Sequence, residues 1–120
     1  MQLLDSEEIQ LLAQVGMLAS ARADVASALA IHEALMLLRP DRDFAYAGLA
    51  VCFLNAGRSD EAVRLLEQAV LNVRQADLPD IKALLALALQ QAGRLSESRR
   101  VAREAGHAVL ARTMLGEPSD

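Results

Sequence analysis

Apolar residues recur along this chain at helical spacing, and the pattern is broken by short polar turns rather than by strand-like alternation. The clearest case is Ala62, Leu65, Leu66, Ala69, Val70 and Val73, whose i, i+3, i+4, i+7 spacing makes one buried stripe. Start and stop signals divide the rest. Asp5, with Glu8 three residues on, predicts a helix start, and that helix runs to about Ala21. Asp24 opens a second, which continues to Leu38 and stops at Arg39-Pro40. A third begins at Asp43 or the residue before it and closes at Asn55-Ala56-Gly57, where glycine can turn left-handed. Ser59 is expected to cap the fourth, with Asp60 and Glu61 in its positive first turn. Pro79 suits the first turn of a fifth, which ends at Gly93. A sixth starts near Leu95 or Ser96 and reaches Ala105, where Gly106 breaks or weakens it. Residues 116–120 should fray.

These helices echo one another. Counting from Ile9, small residues fall at Gly16 and Ala28, and Pro40 follows. Counting again from Asp43, 34 positions later, the same places hold Ala50 and Ala62. Asn55-Ala56-Gly57-Arg58 returns as Gln91-Ala92-Gly93-Arg94, 36 positions downstream. A period near 34 built on helix formers is the signature of stacked helical hairpins. The reading is an all-α single domain over 1–120, with three repeats at about 9–42, 43–76 and 79–112. The two extra residues of the third spacing are expected in Asn72–Leu78.

The pattern resembles tetratricopeptide repeats, helix–turn–helix units of 34 residues, over roughly residues 9–106. The middle unit is the best copy. Tyr46, Leu49, Ala50, Phe53, Gly57, Ala62, Leu66 and Ala69 stand where that family places aromatic, leucine, small, aromatic, glycine, small, large and small residues. The first unit keeps Gly16, Ala28 and Pro40 but has Ala19 in place of an aromatic. The third keeps Ala86, Gly93 and Ala105 but has Lys82 and Ser98 at usually apolar or small places. The resemblance implies a curved right-handed solenoid in which the first helix of each pair lines the concave side.

Composition narrows the function. Hydrophobic residues make up 53% of the chain but aromatics only 2%, so the core must be built from Ala, Leu and Val. The net charge of −4 argues against a general nucleic-acid role, which needs a basic face to neutralise phosphates. One stretch runs the other way: residues 94–112 carry five arginines against Glu97 and Glu104. Arg99, Arg100 and Arg103 there form either a solvated helix face or a docking patch for an acidic partner. The single cysteine, Cys52, lies among apolar neighbours and reads as a small buried hydrophobe in a reducing compartment. His32 and His107 lie on different helices with no second ligand at metal spacing, and His32 is expected to be hydrogen-bonded or partly exposed. Carboxylate pairs sit at helix starts, where capping explains them. No phosphate loop, nucleophile elbow or Cys/His cluster is present in the sequence, so neither enzyme activity, a metal nor a cofactor is expected. Nor does the sequence show a signal peptide or a bilayer-length apolar run, and a soluble, cytoplasmic protein is expected.

The resemblance places an apolar inner wall at Ala13 and Met17, then Phe44, Ala47, Val51 and Leu54, then Ala83 and Leu87. Gln10, Ser20, Asn55, Asp80, Gln90 and Gln91 are expected at its margins. This wall lacks the lysine and asparagine set by which many such domains clamp a C-terminal carboxylate. An apolar wall with small residues suits an amphipathic helix or an apolar extended segment of a protein client. A small, acidic, Ala/Leu-rich chain of three units also resembles the cytoplasmic chaperones of bacterial type III secretion systems, through Glu8–Ala21, His32–Pro40 and Ala47–Ala62. That resemblance implies a chaperone holding a secreted or export-apparatus subunit, as a homodimer or heterodimer. The alternatives are a self-associating scaffold, or a regulator docking an acidic partner through the arginine-rich helix.

Overall fold

A computed structural model describes residues 4–114, with side chains through residue 107, so the expected fraying of 116–120 lies outside the described residues. Six α-helices follow one another: α1 (Ser6–Ala21), α2 (Val25–Leu38), α3 (Phe44–Asn55), α4 (Ser59–Asn72), α5 (Leu78–Gln91) and α6 (Leu95–Met114). A single 3-10 turn, Gln75–Asp77, separates α4 from α5. No strand occurs among the described residues.

The start signals behave as their chemistry requires. The Asp5 carboxylate accepts from the Glu8 amide at 2.8 Å while Glu8 accepts from the Asp5 amide at 3.3 Å, a reciprocal cap. Asp24 accepts from the Ser27 amide at 3.2 Å and opens α2. Ser59 departs from expectation: it is already helical, and the cap position belongs to Arg58, which has no capping side-chain bond. Arg58 instead grips Glu61 with two hydrogen bonds, of 2.5 and 2.7 Å. Arg94 does the same to Glu97, one repeat later, at 2.9 and 2.7 Å. Both pairs are solvent-exposed, where water and salt screen them, so they contribute little to stability. The end of α6 is a second departure. The helix passes through Gly106 to Met114, because a single glycine costs only about 1 kcal/mol against the hydrogen bonds of a continuing helix.

Each hairpin turns on one left-handed residue. Gly57 and Gly93 have φ of +75° and +80°, and Ala23 occupies the matching place in the first hairpin with φ of +55°. The hairpins then stack. α3 packs on both α1 and α2, α5 packs mainly on α4 and only lightly on α3, and α6 packs on α5 alone among the described elements. The stack is slab-shaped, 37 × 35 × 20 Å. Small residues set its spacing: Ala28, Ala45, Ala50, Ala62, Ala69 and Ala88 are fully buried, and Leu35, Leu66, Ile81 and Leu89 fill the space around them. Cys52 is buried as expected, and burial pushes its thiol pKa up.

The irregular third unit has a physical explanation. Ser98 stands where the second unit has Ala62, and its hydroxyl donates to the Ala86 carbonyl at 2.6 Å across the hairpin. Lys82 stands where the second unit has Tyr46, and its ammonium lies 3.4 Å from Glu104 on α6. The extra residues form the 3-10 turn, as the spacing required, and fold back on the α2–α3 turn. Buried Asp77 accepts from Arg42 at 2.9 Å, from Arg74 at 3.3 Å and from the Asp43 amide at 3.2 Å. Burial alone would raise the Asp77 pKa, but these hydrogen bonds outweigh it and hold the carboxyl below its usual value.

Alanine at a left-handed position carries a cost that glycine does not. Replacing Ala23 with Gly should therefore raise stability by up to about 1 kcal/mol, read as a higher urea midpoint. A lower midpoint would mean that the alanine methyl contributes more by packing than it loses to strain.

Candidate binding surface

The first helices of the three hairpins share a register that carries the expected inner wall. Ala13, Ala47 and Ala83 occupy equivalent places on α1, α3 and α5, and so do Met17, Val51 and Leu87. Phe44 and Leu54 extend the middle helix at either end. The eight expected wall residues are all at least partly solvent-exposed: Met17, Ala83 and Leu87 openly, the other five partially. Among the described residues α6 makes no packing contact with α1 or α3, so none of its described part covers that stretch of the wall. Two open clefts border it. One, of about 380 Å³, lies among Ile9, Ala13 and Phe44 with Arg39 and Arg42 at its rim. The other, of about 420 Å³, is lined by Pro79, Asp80, Ala83 and Ala86 of α5 and Ala102, Ala105 and Gly106 of α6. Arg42 stands over the Phe44 ring at 5.7 Å while its guanidinium pairs with Asp77, and Ser6 and Gln10 add polar groups to the lining of the first cleft. Asp43 beside it has a raised pKa, through burial and then through the nearby charges of Asp77 and Asp80.

Ser20 is not at the margin of this wall. It is fully buried and belongs to a polar cluster that sequence reasoning missed. His32 of α2 sits where the second repeat has Leu66, and both are fully enclosed. Its Nε2 lies 3.2 Å from the Ser20 hydroxyl, which also reaches the carbonyl of Gly48 at 2.5 Å and that of Gly16 at 3.0 Å. The hydroxyl has a single proton and gives it to a carbonyl, so Nε2 must carry the imidazole proton and donate to serine. Nδ1 is then a bare acceptor, and no partner reaches it. Burial pushes the His32 pKa below its usual value, against an opposing pull from the Gly16 backbone. The imidazole has room because its neighbours lack side chains. A methyl added at Gly48 would run into the ring, and one at Gly16 would come within 2.9 Å of it. Asn55, another expected margin residue, donates to the Ser20 carbonyl at 3.0 Å and ties the end of α3 to the end of α1.

Glycines 16 and 48 and Ser20 were readable as small residues. Their grouping around His32 was not, because it depends on which faces of three helices meet.

A tetratricopeptide-repeat family signature matches residues 19–88, more than half of the chain. The protein belongs to the tetratricopeptide-repeat family. No curated protein and no solved structure gives a significant match. Tetratricopeptide repeats are a non-catalytic repeat type that generally mediates protein–protein interaction. Among the described residues, no helix is long and apolar enough to cross a membrane.

The arginine-rich helix of this repeat protein presents a second surface. Arg99, Arg100 and Arg103 are all exposed, within about a quarter-turn of one another on α6. Arg100 reaches only a 3.9 Å contact with Glu104, which is itself shared with Lys82. Arg112 lies beyond the residues whose side chains are described.

Two outcomes test the buried cluster. Gly48→Ala gains up to about 1 kcal/mol of helix propensity but must displace a packed imidazole, at about 1–3 kcal/mol. The net should be a lower urea midpoint, and an unchanged or higher one would show that the ring is loosely held. A histidine with a depressed folded pKa binds its proton less readily folded than unfolded. Its contribution to stability is thus complete above the unfolded value near 6.5 and is lost as pH falls through that value toward the folded one. NMR titration should place the His32 midpoint below 6.5, and a midpoint above it would contradict a buried neutral ring.

Proposed function

We propose that this repeat protein is a binding chaperone or adaptor that holds an apolar or amphipathic helix of a protein client along the wall formed by α1, α3 and α5. The reading is carried by the register of that wall. An alanine row, Ala13, Ala47 and Ala83, runs in register beside a Met17–Val51–Leu87 row across the three helices, and all six residues are at least partly open to solvent. A helix laid there can bring its backbone close over the alanines while its apolar face meets the second row. Burial on both sides contributes about 25 cal/mol per Å² of apolar surface, before the entropic costs of association. Arg39, which lines the first cleft and forms no ion pair among the described residues, favours a client with a carboxylate next to its apolar face.

In its finer form the client is a type III secretion subunit. Such a subunit would aggregate or polymerise early if its amphipathic helix stayed exposed, and the wall would mask that helix until a competing site at the secretion machine releases it. The support for this form is the three units and the Ala/Leu-rich, acidic character of the chain. The exposed Arg99, Arg100 and Arg103 support a second reading, in which α6 docks an acidic partner.

Charge placed on the wall separates the two. Ala47→Glu and Leu87→Glu should abolish capture of the client from native cells while leaving the circular dichroism spectrum intact, because both positions are solvent-accessible. Loss of helix in those variants would make the residues core and end the proposal. Reversal of Arg99, Arg100 and Arg103 to Glu should leave capture unchanged, and the opposite pattern would favour the arginine face.

A further inference from the structure

Repetition gives every surface of this molecule an internal reference, and one surface departs from it. Leu11, Val15 and Leu18 of α1 are 61, 47 and 53% exposed. The same register one repeat on, Ala45, Leu49 and Cys52 of α3, is 0, 2 and 0% exposed. In α5 it is Ile81, Leu85 and Ala88, again all buried. α3 buries its set in a stack resting on the α1–α2 hairpin, and α5 buries its set in a stack resting on α4. Among the described residues α1 has no hairpin before it, so it presents to solvent the face by which the later hairpins dock. This face lies on the far side of α1 from Ala13 and Met17, and the inference is independent of the client wall.

The ends of the stripe identify the occupant. Glu7, Leu11, Val15, Leu18 and Arg22 follow one another at spacings of four, four, three and four, which keeps them on a single face. The stripe is therefore acidic at its start, apolar through its middle and basic at its end. Neither Glu7 nor Arg22 forms an ion pair with another described residue. Two such stripes are complementary only when antiparallel. Laid across a two-fold axis near Gln14 and Val15, Leu11 of one copy meets Leu18 of the other, and Glu7 meets Arg22 at both ends. A parallel arrangement would set Glu7 against Glu7 and Arg22 against Arg22. We infer that the chain forms a symmetric dimer with a second copy of itself through antiparallel α1 helices. An isologous contact of this kind closes on itself and leaves both inner walls open.

Sedimentation equilibrium of the purified full chain across a concentration series provides the test. A reversible dimer of twice the 12.9 kDa chain mass is expected. Leu18→Glu should weaken it at least about tenfold, with helical content unchanged because the position is exposed. Glu7→Arg alone and Arg22→Glu alone should each weaken it several-fold, roughly the effect of turning two attractive rim pairs repulsive. The double reversal Glu7→Arg with Arg22→Glu should restore it to about the original affinity. A chain that stays monomeric throughout overturns the inference, and so does a ladder of larger species, which indicates head-to-tail stacking. A dimer indifferent to Leu18→Glu, or one not rescued by the double reversal, overturns it as well.

Discussion

Three helices meet at the edge of one imidazole. His32 fills a position that holds leucine in the next repeat, and a polar ring there demands two things at once: space and a hydrogen-bond partner. Gly16 and Gly48 supply the space, and Ser20 supplies the partner while passing its own proton to a backbone carbonyl. The cluster therefore fixes how α1, α2 and α3 approach, and with it the angle between the first hairpin and the second. Everything outward of that joint, including the inner wall and the unpaired face of α1, inherits its geometry. In the second and third repeats the same task falls to alanines, with leucine around them or a serine hydroxyl bonded across the hairpin.

How much of this was legible in the sequence depends on whether the information is local. Caps, turns and stripes are local, so α1, α2, α3 and α5 could be placed from Asp5, Asp24, Pro40, Gly57, Pro79 and Gly93. Arg58 and Gly106 misled for different reasons. Arg58 uses its side chain to hold Glu61 rather than leaving the cap to Ser59. Gly106 misled because one glycine costs only about 1 kcal/mol, too little to stop α6 from running on to Met114. The repeat itself was visible because Ala50 and Ala62 recur at the distance that hairpin stacking imposes. Ala23 shows the limit of pattern matching. It takes the left-handed turn where its counterparts are glycine, and nothing about an alanine announces that.

The shared register of Ala13, Ala47 and Ala83 was readable because helical period and repeat period together fix which residues line up across neighbouring hairpins, whereas their role as an inner wall came from the resemblance alone. The Ser20–His32 cluster and the Asp77 clasp were not readable, since each joins residues whose meeting depends on three-dimensional approach. Asp77 shows how an irregularity can be absorbed: two extra residues would push the third hairpin out of step, but a buried carboxylate bonded to Arg42, Arg74 and the Asp43 amide pins the insertion to the turn behind it. The third hairpin leans on α4 and barely on α3. A surface whose contacts are ordered before a partner arrives spends little entropy on the encounter.

The central claim is that a protein client lies along the inner wall. It is tested most directly by placing a photo-activated crosslinking residue at Val51, in the middle of that wall, and comparing it with the same residue at Leu71, which is 83% exposed on α4. In the native cell a discrete crosslinked adduct should form from position 51 and not from position 71. Adducts from position 71 alone, or equally from both, would contradict the claim.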